Sequence, residues 1–335
     1  MSEIIINVSR GAISENIIRG NIAVIGDKNK LIAWLGDPNY YTYMRSTAKP
    51  LQASAAVECG AIEHFGITEP ELAIMCGSHI GDNYHIGAIE SILTKISLTE
   101  NDLTLGADLS FSQKLRDKRL VEYIAPRKVF NNCSGKHACM LTICRYMGWD
   151  HHDYQNFAHP VQQLIFSVVA AYAQMNSEDI TIGIDGCGVP VFAMPLMHMA
   201  IAYHNLASPL ELSQIRGEAA QKITTVIAAY PQMIAGYGHF CTELNIITQG
   251  RIIGKLGADG VYCAAIPTEN LAIALKIEDG NGTMLAPVIM EILNQLGLLT
   301  EEEKTQLGQF AVFDNINCQN DKIGEVKAVF NLIRG

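Results

Sequence analysis

Ile22-Ala23-Val24-Ile25-Gly26-Asp27-Lys28-Asn29-Lys30-Leu31-Ile32-Ala33-Trp34-Leu35 reads as two short β-rich runs around a Gly26–Lys30 turn. That is the signature of a β-hairpin. Upstream, Ile4-Ile5-Ile6 adds a third run, so residues 1–37 read as strands. From residue 46 to about 230 the hydrophobic period becomes helical. Thr68-Glu69-Pro70-Glu71 offers a capping box with a proline in the first turn, and Gly77 closes that helix. Ile80–Lys95, Gly135–Met147, Pro160–Met175, Pro195–His204 and Pro209–Ala229 are the further helices. An extended pair, Ile180–Ile184 and Val189–Phe192, interrupts them, and Asn101–Arg119 is polar enough to read as surface loop.

Strand patterns return at Leu244–Thr248, Arg251–Lys255, Val261–Ile266 and Leu271–Ile277. A helix at Met284–Leu296 and a last strand at Val326–Asn331 follow. Strands at both ends of a helical middle are best satisfied by one antiparallel sheet built from both termini. Helices then cover its faces and form an all-helical middle lobe, an α+β architecture. No repeat or low-complexity linker divides the chain, so a single domain over 1–335 is expected. Its sheet lobe would span about 1–45 and 240–335, and its helical lobe about 46–239.

The composition is 49% hydrophobic and 17% charged over 335 residues, ample for a large core. A formal charge of −10 opposes a nucleic-acid partner, which needs a basic face. The nine cysteines are odd in number, and Met1-Ser2-Glu3-Ile4 opens no signal-like segment. Reduced thiols in a cytoplasmic protein are therefore expected. No apolar run reaches the ~18 residues of a membrane span.

Four short motifs carry chemistry. Arg45-Ser46-Thr47-Ala48-Lys49-Pro50 places a serine and a lysine three apart at a helix start, on one face. A serine hydroxyl needs a base to become a nucleophile, and lysine serves only when burial or nearby positive charge lowers its pKa. A helix N-terminus also lends N–H groups to an oxyanion. A surface serine cap with a solvated lysine would share this spacing. Context favours chemistry: Ser-x-x-Lys under an antiparallel sheet is the plan of penicillin-recognising serine enzymes, which add a Lys-x-Gly on a late strand. Lys255-Leu256-Gly257 ends a predicted strand; the Lys-x-Gly at Lys322 has a less strand-like context.

Asn131-Asn132-Cys133-Ser134-Gly135-Lys136-His137 opens a helix, with Cys133 and His137 four apart, which permits metal ligation or plain core packing. Asp185-Gly186-Cys187-Gly188-Val189-Pro190 reads as a tight turn, structural or ligand-facing. Cys76-Gly77-Ser78-His79 follows a helix stop with two hydrogen-bonding groups, of which His79 equally suits a structural role.

Together Arg-Ser-x-x-Lys-Pro-Leu-Gln, Cys-Gly-Ser-His, Asn-Cys-Ser-Gly-Lys-His and Asp-Gly-Cys-Gly-Val-Pro, in this order, resemble the asparaginase II family of rhizobial-type, class 3 L-asparaginases. Lys255–Val261 resembles the family's late motif, with Asp259 at its acidic position, and the resemblance runs from about Val8 to Glu278. The resemblance implies a β-lactamase-like fold, a homodimer, and hydrolysis of L-asparagine to L-aspartate and ammonia. It implies two catalytic pairs, Ser46–Lys49 and Ser78–Lys255, and a zinc site of Cys133, Lys136 and Cys187. Arg45, His79 and Asp185 are the expected substrate contacts. Family membership alone leaves two rivals: an amidase of the same fold acting on glutamine or another small amide, and a non-catalytic amino-acid sensor.

Overall fold

A computed structural model describes residues 1–335. Its main element is a nine-stranded antiparallel sheet drawn from both ends of the chain. The strands are β1 (Glu3–Arg10), β2 (Ile13–Gly26), β3 (Lys30–Leu35), β4 (Tyr41–Tyr43), β5 (Thr181–Ile184) and β6 (Pro190–Pro195). The later ones are β7 (Ile253–Gly257), β8 (Val261–Ile266), β9 (Leu271–Ile277), β10 (Val312–Ile316), β11 (Lys322–Ala328) and β12 (Ile333–Arg334). The order is β10-β11-β1-β2-β9-β8-β7, with β3 on β2 and β12 on β3.

β2 is the hinge of this sheet. Its first half pairs with β1, in register Asn7↔Ile17, and its second half pairs with both β3 (Ala23↔Trp34) and β9 (Ala23↔Ala274). Burial follows that division: Ile13–Ile17 are exposed, whereas Gly20–Gly26 are buried on both faces. A strand covered on both faces loses polar alternation, which is why Ile22–Ile25 reads as a continuous apolar run.

The Leu196–Ala207 helix lies across β2, β8 and β9 and carries almost no exposed residue. Behind it, the Lys49–Glu58 helix buries Lys49 through Ala56 among the Ser134–Met147, Pro160–Ala173 and Gln214–Ala229 helices. Its Ala53, Ser54, Ala55 and Ala56 let three neighbours approach closely. One core cluster of 92 buried residues joins sheet and helices. No helix is long and apolar enough to cross a membrane.

The capping box at Thr68 forms, with the Thr68 N–H donating to Glu71 Oε2 at 2.6 Å. The extended pair 180–192 becomes β5 and β6, and β4 joins them in a three-stranded sheet within the helical lobe.

Several expectations are corrected. Leu244–Thr248 is not a strand; Phe240–Ile247 is a helix with Cys241, Leu244 and Asn245 buried, and tertiary packing overrides its β-branched character. Asn101–Arg119 is not all loop, because Gln113–Val121 forms a helix. It is polar nearly all round, so the hydrophobic period had nothing to report. Lys322 does begin a strand, β11, which pairs with β1 and β10.

Two helices bearing motifs are set by one contact. A Cβ at Gly135 would collide with the backbone carbonyl of Ile74. Alanine normally gains about 1 kcal/mol over glycine in a helix. At Gly135 the clash should outweigh that gain, so Gly135→Ala should lower stability by about 1–3 kcal/mol in urea unfolding. An unchanged or raised midpoint would show that the helices can separate without cost.

Candidate active site

Five segments converge beneath a small cleft of about 130 Å³ lined by Arg45, Ser46, Asn131, Asn132, Cys133, Asp185, Gly186, Cys187 and Ala258. Ser46 sits in the 3-10 turn Arg45–Ala48, just before the Lys49–Glu58 helix. The preceding Arg45 is held at φ 51°, a left-handed conformation costly for any residue with a Cβ. Its guanidinium is clamped there by Asp185 (Nε to Oδ1, 3.0 Å) and by Asp259.

The floor of the site is two lysines sharing one serine. Lys49 and Lys255 are both almost wholly buried, at 0% and 2% exposure. Lys49 Nζ lies 2.9 Å from Ser78 Oγ, 2.8 Å from the Gly77 carbonyl and 3.0 Å from the Asn132 carbonyl. Lys255 Nζ lies 2.8 Å from Ser78 Oγ and 2.7 Å from the Leu256 carbonyl. Ser78 is placed by strand-like pairing of its N–H with the Ile234 carbonyl at 2.7 Å. Gly257 lets β7 close on the turn that carries Ser46, since a Cβ there would stand 2.9 Å from the Met44 carbonyl.

One hydroxyl has one proton. Ser78 can donate to only one of the two amines and must accept from the other. Burial lowers both lysines: Lys255 is pushed down to about 7 by desolvation and then by the Lys49 charge. Lys49 is lowered by desolvation and Lys136, against the opposing pull of Cys133. Two buried amines on one oxygen thus favour a state with one of them neutral.

The structure therefore joins Ser78, Lys49 and Lys255 directly. Ser46 opens on the cleft, and its Oγ makes no hydrogen bond in this conformation; Lys49, one turn along, points to Ser78 instead.

The opposite wall is an ionic cluster centred on Asp185. Its Oδ2 takes Lys136 Nζ at 3.0 Å and stands 3.6 Å from Cys187 Sγ, while Oδ1 takes Arg45 and the Gly186 N–H. Burial would raise the Asp185 carboxyl, but Lys136 and Arg45 outweigh it and hold the group well below the usual carboxylate range. Burial likewise opposes charge on Lys136, yet Cys133, Cys187 and Asp185 raise its pKa. The Cys133 and Cys187 thiols are free and near each other, and their interaction lowers the pKa of Cys133 while raising that of Cys187.

Donor atoms of Cys133, Asp185 and Cys187 lie within 4.8 Å of one another. Two thiols with a carboxylate and an amine at hand form a donor set suited to zinc. His79 stands apart: it is fully buried, its Nε2 meets Ser134 Oγ at 2.9 Å, and its ring stacks on His85.

Sequence reading missed several contributors. Asn131 and Asn132 line the cleft inside a motif already singled out, and their position there was the available signal. The carbonyls of Gly77, Asn132 and Leu256, which hold the lysines, have no side-chain signature at all.

A serine held by two buried lysines, with a second serine at the cleft above, is an arrangement with the groups that nucleophilic hydrolysis requires. The family model described as L-asparaginase II matches residues 6–328, and the chain belongs to that family, among asparaginase-type amidohydrolases. A search of curated proteins returns no match. Among solved structures, a β-lactamase from Mycobacterium bovis is similar at 17% identity and TM-score 0.45, over 82% of this chain and 94% of that one. Mglu is similar at 12% identity and TM-score 0.46, over 86% of this chain and 70% of that one. Both are distant, and neither assigns a role to any residue here.

Asp185 is the pivot of the ionic wall. Asp185→Asn should cost about 3–5 kcal/mol in urea unfolding, because it strands buried Lys136 without its carboxylate. A loss below about 1 kcal/mol would mean that the Cys133 thiolate alone balances Lys136.

Proposed function

We propose that this chain, a homodimer of single-domain subunits, is an L-asparaginase that hydrolyses L-asparagine to L-aspartate and ammonia through an acyl-enzyme. The observation that carries this reading is the pair of buried lysines meeting at Ser78 directly below the cleft that Ser46 lines. Such a pair supplies a neutral amine near neutral pH, which is what a serine nucleophile needs.

In this mechanism Ser46 Oγ attacks the side-chain amide carbon while Lys49 takes the hydroxyl proton. Lys49 lies one helical turn from Ser46, so its Nζ would exchange its bond with Ser78 for one with Ser46 as substrate enters. Hydrogen bonds of this kind commonly tighten only in the substrate complex. Backbone N–H groups of the helix start would hold the tetrahedral oxyanion. The carbon–nitrogen bond then breaks, and ammonia leaves with the proton that Lys49 took from Ser46, passed directly or through Ser78 and Lys255. Water attacks the acyl carbon and gives a proton to the again-neutral Lys49, the bond to Ser46 Oγ breaks, and Lys49 returns that proton to Ser46 as aspartate departs.

Arg45 and Asp185 at the cleft wall would receive the substrate's α-carboxylate and α-amino ends. His79, behind the wall, would act by holding the Ser134 end of the helix rather than by touching substrate. Cys133, Cys187 and Lys136 would hold zinc, with Asp185 beside them, and zinc would supply a Lewis-acidic anchor for the substrate's α-amino or carboxylate end. Lysine must shed its proton to ligate, so the metal competes with the Lys136–Asp185 ion pair.

Ser46→Ala should abolish ammonia release from L-asparagine with the fold unchanged by circular dichroism. A variant keeping more than a few per cent of the rate would move the nucleophile elsewhere, Ser78 first. Lys255 is deprotonated as pH rises through about 7, so kcat/KM should climb from the acid side across that value. A profile flat through neutral pH, or identical in Lys255→Met, would remove the amine pair from the chemistry.

For the metal, elemental analysis should find about one zinc per chain at neutral pH, lost on acidification. Cys187→Ser should raise KM more than it lowers the unfolding midpoint. Metal-free protein with an unchanged KM would leave these residues a purely structural role.

A further inference from the structure

The loop after the Ser134–Met147 helix carries Asp150, His151 and His152 in succession, well away from the cleft residues in sequence. One donor atom from each lies within 4.8 Å of the others. The two imidazoles are stacked, with centroids 4.7 Å apart and planes 27° from parallel. His152 Nδ1 meets Asp150 Oδ1 at 2.5 Å, and the His152 N–H caps the same oxygen at 3.0 Å. His159 Nε2 holds the Asp150 carbonyl at 2.7 Å and so closes the turn.

A second segment completes the arrangement. Asp102, at the end of the 3-10 turn Glu100–Asp102, takes His151 Nε2 at 3.3 Å. Both members of that contact are largely covered, at 18% and 27% side-chain exposure, whereas Asp150 and His152 face solvent. A carboxylate on one ring nitrogen fixes the tautomer and leaves the Nδ1 lone pair for a cation. The two imidazole donors suit borderline divalent ions such as zinc or nickel better than magnesium or calcium.

We propose that Asp150, His151 and His152, oriented by Asp102, form a second metal site, one for a borderline divalent cation such as zinc or nickel. On binding, the cation takes the place of the proton shared by His152 and Asp150, and that proton is released to solvent. The site ties the 149–159 loop to the 100–102 turn. Tyr154 in the same loop is fully buried, accepts the Thr104 N–H at 3.1 Å and meets His137 Nδ1 at 2.6 Å. An ion here therefore braces, through Tyr154 and His137, the helix that presents Lys136 to the cleft.

Nickel binding by equilibrium dialysis tests this on the full chain, with Cys133→Ser/Cys187→Ser as the background that removes the thiol cluster. That background should still bind one nickel ion, and adding His151→Gln/His152→Gln should abolish it. Asp102→Asn should weaken binding about tenfold, the effect of losing an orienting carboxylate. In that same Cys133→Ser/Cys187→Ser background, nickel should raise the unfolding temperature, and His151→Gln/His152→Gln should remove that rise while leaving the metal-free midpoint unchanged. Nickel stoichiometry indifferent to the histidines overturns the site. Affinity indifferent to Asp102 overturns it too, since any exposed pair of histidines would then do as well.

Discussion

Two ammonium groups cannot share one buried hydroxyl cheaply, and much of this structure is arranged around that constraint. Lys49 arrives on the central helix and Lys255 on β7, from sequence positions 49 and 255, and both end on Ser78 Oγ. Neither has a carboxylate within hydrogen-bonding distance. Their remaining donors go to the carbonyls of Gly77, Asn132 and Leu256. Fixed dipoles of this kind hold an amine in place without neutralising it, so the site keeps a lysine near its titration point. The sheet's antiparallel closure onto the Arg45–Ala48 turn, allowed by Gly257, is what brings the second amine in.

The ionic wall across the cleft obeys the opposite rule. Lys136 is as buried as the other two lysines, yet it is paired with Asp185 and flanked by two thiols, and its proton is held tightly. Lysines of similar burial thus differ in charge because of what their ammonium groups meet. Asp185 links the two halves, since it also restrains Arg45, whose left-handed backbone turns Ser46 toward the cleft. Removal of one charge from this wall would be felt at the Ser46 turn as well as at the thiols.

The loop beyond the Lys136 helix extends the same network outward. Tyr154 and His137 fill the space behind that helix, and the Asp150–His152 turn stands at the surface end of the chain of contacts. Whatever occupies the outer turn acts on the cleft indirectly, through the Tyr154–His137 hydrogen bond and the packing around it.

The sequence by itself determined the strands at both ends, the helical middle, and the motifs that meet at the cleft. Those signals are local: β-branched runs, the Thr68 capping box, and the Ser46–Lys49 spacing each depend on neighbours within a few residues. It failed where local preference and environment disagree. Leu244–Thr248 looks like strand, yet Phe240–Ile247 is a helix that buries Cys241 and Leu244 and packs against β7, while Ile246 stays exposed. Gln113–Val121 is a helix without an apolar face to announce it. The pairing of the lysines was decided only by tertiary structure. Spacing along the helix puts Ser46 near Lys49, but a lysine side chain is long enough to choose its partner. In the folded chain Ser78, brought in by the 230–238 segment, lies within its reach along with two backbone carbonyls. No reading of side chains in order could supply that choice, because carbonyl positions and close approaches at glycine exist only once the segments have packed.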